Sequence, residues 1–311
     1  MDGLTRDSSP SLELVKTALD KIRDESVLQN ARTGKAEATD PVVFTQDRAT
    51  NAAVVSTTQG GGGYFGKTTD DLDAPKGVAI KSPTPKTTNI ADFKKDLDVA
   101  RTFMADQQHS SVAKAVRGNV KSWMATRDRN AFEIGYALGF TVTTTIDSVF
   151  TFSASHVNDN GDTVDNLESG ALTDSTLNTS VVVLRNQINQ TGVKVGYEPD
   201  FLLTSNSSHK LAMETAKSVL RAGTGNNDLN YFSELFPGMK VVYNMFLDET
   251  STVAYFIGAQ GHGVTRFVRE DLFTNLVDWK TQKNDAYIYK LRAREEVDAI
   301  EYSGLLGSSG A

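Results

Sequence analysis

The 311-residue chain contains no cysteine. That absence removes disulfides, thiolate metal sites and cysteine nucleophiles together, and it fits synthesis in a reducing cytoplasm. No run of 18 apolar residues occurs, so no segment reads as a membrane-spanning helix. The opening residues, MDGLTRDSSP, lack the apolar stretch of a secretory signal. Positive charge is short as well: 32 Lys and Arg face 39 Asp and Glu, a formal net charge of −7. That balance favours solubility and argues against nonspecific nucleic-acid binding as the main task. The four histidines, 109, 156, 209 and 262, are far apart, and no pair has metal-ligand spacing. No internal repeat and no G-x-S-x-G elbow is present.

What is present suits a folded protein of one large domain or two ordinary ones, 39% apolar and 23% charged. The longest helical signal runs from Ser111 to Phe140. Val112, Val116, Val120, Trp123, Ala131, Ile134 and Leu138 recur at spacings of three, four or their sums, and Gly139 stands where a left-handed cap would stop the helix. Such a helix is roughly 40 Å long. Lys114, Arg117 and Lys121 form a basic stripe beside the apolar one, a solvated face or a contact for an acidic partner or nucleic acid. Arg127 falls within the apolar stripe and requires a partner or a route to the boundary. Phe132 and Tyr136 lie opposite Ile134 and Leu138, so this end should sit between two packed layers.

Before the long helix, Ser9 and Pro10 start a short amphipathic helix bearing Leu12, Val15, Leu19 and Ile22. It packs either on its own domain or, as an arm, on a neighbouring subunit. Residues 36–95 are rich in Thr, Gly, Asp, Lys and Pro, with β-branched pieces at 42–44 and 53–55. They read as disordered or as a long hairpin that takes its contacts from another chain. The pattern predicts a helix over Asp92–Met104, through Phe93, Leu97 and Ala100.

Gly61-Gly62-Gly63-Tyr64-Phe65-Gly66-Lys67-Thr68 matches the phosphate-binding pattern G-x-x-x-x-G-K-[ST]. A working loop of this kind follows a buried parallel strand and opens a helix. Here Ser56-Thr57-Thr58-Gln59-Gly60 precedes it, and Pro75 breaks any helix that follows. The motif therefore reads as a hairpin tip, with Gly61, Gly62, Gly63, Tyr64 and Phe65 as contact candidates.

Residues 141–265 read as a mixed α/β unit. It comprises a β-branched run at 142–149, a helix capped by Thr173 and ending near Gly192, a buried strand at 201–203, and a helix from Ser207 or Ser208 to Gly223. Strands follow at 239–247 and 252–259. The loop from His156 to Glu168 fails as a calcium site, because setting Gly161 sixth puts His156 first and Leu167 twelfth. From Ser155 to Asp200, seven acids face two bases. In 262–303, Tyr287, Tyr289, Leu291 and Ala293 alternate with Ile288, Lys290, Arg292 and Arg294, and the Gly/Ser tail reads as frayed.

At Gly135-Tyr136-Ala137-Leu138-Gly139-Phe140, then Phe150–Asn158, Asn166-Leu167 and the helix from Thr173, the chain resembles the major capsid proteins of tailed bacteriophages. It is most similar to the Mu-like major head subunit branch, and the likeness continues through Pro199–Leu203 to the strands at 263–302. The resemblance implies an α+β, Hong Kong phage-type capsid fold. Its parts would be an N-terminal arm (1–38), an extended loop (39–92), a peripheral domain on a spine helix (93–140 and 262–303), an axial domain (141–261) and a flexible tail (304–311). The poor core of residues 1–90 would then be completed by neighbours. The resemblance further implies a structural protein with no catalysis and no cofactor. It would self-assemble into hexamers and pentamers, meet portal and possibly scaffold or decoration proteins, and enclose genomic DNA non-specifically in a virion assembled in the host cytoplasm, with no membrane. The short arm implies that the long cleavable scaffolding region of some members is absent, and their lysine–asparagine crosslinking pair has no match here. A nanocompartment shell of the same fold and a nucleotide-binding protein using Lys67 and Thr68 are the alternatives.

Overall fold

The computed structural model describes residues 16–17, 20–21, 35–56, 85–102, 109–219, 230–277 and 286–310. In chain order the strands are β1 (Thr45–Arg48), β2 (Ala53–Ser56), β3 (Lys86–Asn89), β4 (Ala91–Ala100), β5 (His156–Val157), β6 (Thr163–Val164), β7 (Leu167–Glu168), β8 (Phe201–Ser205), β9 (Lys240–Asn244), β10 (Tyr255–Gly258), β11 (Val264–Val277), β12 (Ala286–Ala299) and β13 (Leu305–Ser308). The helices are α1 (His109–Gly135), α2 (Asp174–Asn186), α3 (His209–Ala216) and α4 (Tyr231–Leu235). Two compact units emerge. The first holds residues 1–33, 90–127 and 268–295, and the second holds 34–89, 128–267 and 296–311. These boundaries differ from those expected: 128–140, 262–267 and 296–303 group with the mixed α/β residues, as do 39–89.

In the first unit, β4 pairs antiparallel with β12 from Ala286↔Ala100 to Glu295↔Ala91. The expected helix over 92–104 is therefore a strand across 91–100. Phe93 and Leu97 are four apart, a spacing that fits one helix face and one strand face equally. Pairing with β12 decides for the strand, and Phe93, Leu97 and Val99 face inward together. Val112, Val116, Val120 and Met124 of α1 pack with Val99, Leu276, Tyr289 and Leu291. Each fully buried valine contributes roughly 1.5–3 kcal/mol relative to exposure. The β12 alternation is as expected, with Tyr289, Leu291 and Ala293 buried. Residues 16–17 and 20–21 are helical. The Asp20 carboxylate accepts hydrogen bonds from the Thr274 and Tyr289 hydroxyls, so residue 20 is held by its own chain.

The second unit is built on a five-stranded sheet in the order β7-β13-β10-β8-β9. β10 runs antiparallel to β13 and β8, while β8–β9 and β13–β7 are parallel. β8, β10 and β13 are buried along their whole length, because both faces of the sheet are covered. Phe201, Leu203, Phe256 and Leu305 enter one core with Ala131, Phe132 and Tyr136 of α1. Leu202, Tyr255 and Ile257 point to the other core, beneath Leu177, Val181 and Leu184 of α2 and Ala212 and Ala216 of α3. Thr173 caps α2 reciprocally with Thr176. That helix ends at Asn186, ahead of the expected Gly192.

Several expectations change here. The tail is not frayed: Leu305 and Leu306 are fully buried within β13, between β10 and β7. Ala36, Ala38, Val43 and Phe44 complete the first core from within the chain rather than from a neighbour. The run 142–149 forms no strand. Its threonines turn to local bonds, Thr143 Oγ1 to the Ile134 carbonyl at 2.8 Å, and Ser148 takes φ +64°. α1 ends at Gly135 and passes into a 3-10 turn over Ala137–Phe140. Gly139 has no positive φ. It is a close-approach residue, since a Cβ there would lie 2.8 Å from the Phe152 ring.

Candidate functional site

Between His109 and Arg127, α1 carries no acidic residue. Spacings of three and four place Lys114, Arg117 and Lys121 on one side, spanning about 10 Å of helix, and all three are exposed. Among the described residues, none of the three forms an ion pair. Arg127, by contrast, is buried at 8% exposure and is not without a partner. The structure thus separates the four basic candidates into an exposed triad and one buried residue. Gly61, Gly62, Gly63, Tyr64 and Phe65, with Lys67 and Thr68, lie outside the described residues.

The strands flanking the glycine-rich motif are described. β2 pairs antiparallel with β3, Ala53↔Asn89 through Ser56↔Lys86, and Val55 is 60% exposed. The strand before a phosphate-binding loop is buried and belongs to a parallel sheet. β2 has neither property.

The hairpin stem is fastened at Lys86, which sequence reading did not single out. Its ammonium donates to Asp298 Oδ1 at 2.5 Å, to the Ala299 carbonyl at 2.9 Å and to the Thr144 carbonyl. The Thr88 hydroxyl donates to the other Asp298 oxygen at 2.6 Å. No local pattern relates residue 86 to residue 298, so only the fold reveals this cluster.

Beside α1 in the first unit, Phe93, Trp123, Leu272 and Leu291 line a cavity of about 110 Å³. The Phe93 and Trp123 rings meet edge to face at 5.2 Å, and Lys95 Nζ lies 3.3 Å from Ser122 Oγ. Small-molecule sites measure roughly 300–1,000 Å³, so this cavity is too small for a nucleotide or a comparable cofactor.

The buried histidines are structural. His156 is fully buried, with Nδ1 2.8 Å from Asp147 Oδ2, Nε2 3.3 Å from the Thr151 carbonyl oxygen, and its ring stacked on Tyr302 at 4.5 Å. His262 Nδ1 accepts the Val264 N–H at 3.2 Å. Burial pushes this imidazole down to about 4, against the opposing pull of the Val42 and Val43 backbone, so it is neutral at pH 7. Among the described residues no three His, Asp or Glu come together as a metal site, and no helix is long and apolar enough to cross a membrane.

No protein-family model and no curated protein sequence matches the chain. Solved structures do. A phage-related protein from Bordetella bronchiseptica RB50 superposes with a TM-score of 0.57 at 9% identity, over 95% of this chain and 97% of that one. The capsid of cyanophage P-SCSP1u gives 0.53 at 12%, over 89% of each chain. A Microbacterium phage Oxtober96 structure gives 0.52 at 12%, over 88% and 91%. The chain shares the α+β fold of these phage proteins over 88–95% of its length.

Proposed function

We propose that this chain is a major capsid protein of a tailed phage, one that self-assembles into hexamers and pentamers of an icosahedral shell enclosing DNA. The observation that carries the reading is the match over about nine-tenths of both chains to a cyanophage capsid. A domain shared in passing would align over only part of each chain. Assembly then works by repeated contact. Heterologous interfaces close into rings, and many weak contacts per subunit add through multivalency. The protein performs no catalysis and requires no cofactor. The β2–β3 stem belongs to the extended loop of residues 39–92, and residues 1–38 form the arm. Portal, scaffold or decoration proteins are further partners, and the assembled shell is the virion capsid, built in the host cytoplasm.

A nanocompartment shell uses the same architecture. The phage capsid likeness favours the phage reading, and the copurifying contents separate the two: DNA for a phage head, a cargo enzyme for a compartment. A nucleotide-binding role for Lys67 and Thr68 draws no support from the flanking strands.

Negative-stain microscopy of the expressed chain tests the proposal. Shells, sheets or capsomer rings are expected. A compact monomer at high concentration, with residues 1–90 resistant to protease, would overturn it.

A further inference from the structure

The charge of this protein is segregated by unit. The first unit contains 18 Lys and Arg against 15 Asp and Glu, and the second contains 14 against 24. The acidic excess of the whole chain therefore belongs to the second unit alone. Within that unit the longest stretch without Lys or Arg is 130–184, and its acids cluster toward the end at Asp159, Asp162, Asp165, Glu168 and Asp174. The next base, Arg185, is already spent on Glu198 at 2.8 Å. Asp159, Asp162 and Asp165 are exposed, as are the apolar side chains of Val157 (48%) and Leu167 (36%) beside them.

The complement is the acid-free part of α1, from His109 to Arg127. Lys114, Arg117 and Lys121 project there without carboxylate partners among the described residues, and Gly118 lies exposed among them. Glycine in a helix interior costs about 0.5–1 kcal/mol relative to alanine. Among the described residues nothing requires it at 118, since a Cβ would meet no atom within 4 Å. The missing side chain leaves a flat floor between three cations, where another backbone can approach closely.

We infer that this basic face of α1 docks on the acidic 156–168 segment of a second copy of the chain. The inference rests on the capsid reading and adds to it one specific contact between copies. A contact between unlike surfaces is heterologous, the kind that propagates or closes into rings. Opposite charges speed encounter and fix register. Exposed pairs are screened by salt, so assembly weakens as ionic strength rises.

The test is a charge swap read by sedimentation and microscopy, with circular dichroism as the control for folding. Lys114→Glu/Arg117→Glu/Lys121→Glu is expected to raise the concentration needed for assembly about tenfold or more. Adding Asp159→Lys/Asp162→Lys to that variant is expected to return it to within about threefold of the unaltered chain. Asp159→Asn/Asp162→Asn alone should weaken assembly in the same direction. A reversed α1 face that assembles at the normal concentration overturns the contact. So does a folded combined variant that stays impaired. Intact assembly with loss of copurified DNA reassigns the face to nucleic acid. An unaltered chain that forms no assembly at any concentration fails the capsid reading itself, and this outcome is visible in the control arm before any variant is compared.

Discussion

His156 Nδ1 lies 2.8 Å from Asp147 Oδ2 inside the second unit, and the same carboxylate accepts the Thr145 hydroxyl and the Val149 N–H. Burial by itself would raise the Asp147 carboxyl. The hydrogen bonds from His156 and Thr145, with the backbone bond from Val149, outweigh it and hold the group below its ordinary value. A depressed carboxylate stabilises the fold above its unfolded pKa, about 3.9, and that contribution is lost as pH falls through the lower folded value. Melting temperature should therefore drop below about pH 4. Asp147→Asn should cost about 2 kcal/mol at pH 7 and flatten part of the acid drop. Thermal unfolding followed by circular dichroism from pH 3 to 7 measures both effects, and an unchanged profile for the variant would show that the pair contributes nothing.

Asp20 makes a second such test. Its carboxylate serves the hydroxyls of Tyr289, at 3.0 Å, and Thr274, both of which are buried. Asp20→Ala should cost about 1–3 kcal/mol through the lost acceptor and should hasten protease cleavage within residues 1–33. Equal cleavage rates for the two proteins would show that this contact does not hold the segment.

Lys86 and Asp298 should govern the hairpin stem. Asp298→Asn or Lys86→Met removes one partner of a mostly buried pair, with the two side chains 18% and 13% exposed. The expected loss is about 1–3 kcal/mol, together with faster amide exchange at residues 86–89. If exchange accelerates everywhere alike, the pair stabilises the unit as a whole and not the stem in particular.

Gly263 approaches the backbone of β12's continuation closely. A Cβ there would fall 2.0 Å from the Glu301 carbonyl oxygen, where no flexible side chain can yield. Gly263→Ala should cost about 3 kcal/mol or more. Deleting residues 305–311, which removes β13, an interior strand of its sheet, should leave no cooperative unfolding transition. A soluble truncated chain with normal melting would contradict the placement of Leu305 and Leu306 in the core.

Local pattern was sufficient wherever a segment's neighbours in sequence are also its neighbours in space. α1 shows a sustained helical period, α2 pairs that period with the Thr173 cap, and β12 shows clean alternation through Tyr289, Leu291 and Ala293. Pattern failed where a long-range partner decided. Phe93 and Leu97 suit either a helix or a strand until β12 lies alongside. The β-branched run at 142–149 has high strand propensity, yet its hydroxyls bond locally and the chain turns at Ser148. The tail reads as frayed because Gly and Ser surround Leu305 and Leu306. β13 is nonetheless an interior strand, and Leu305 enters the core with Phe152, Phe201 and Phe256.

By itself, then, the amino-acid order determined the exclusion of thiol chemistry, the acidic balance, the long helix with its basic stripe, and the order of elements that resembles a phage capsid subunit. Only the tertiary structure decided that Arg127 is buried while Lys114, Arg117 and Lys121 are exposed, that Lys86 meets Asp298, and that β2 and β3 form an antiparallel stem. The physical reason is that helix periodicity and capping act over a few residues, so they are written locally. Burial, side-chain bonding and strand partnership depend on groups as far as 269 positions apart, and those groups meet only once the chain has folded.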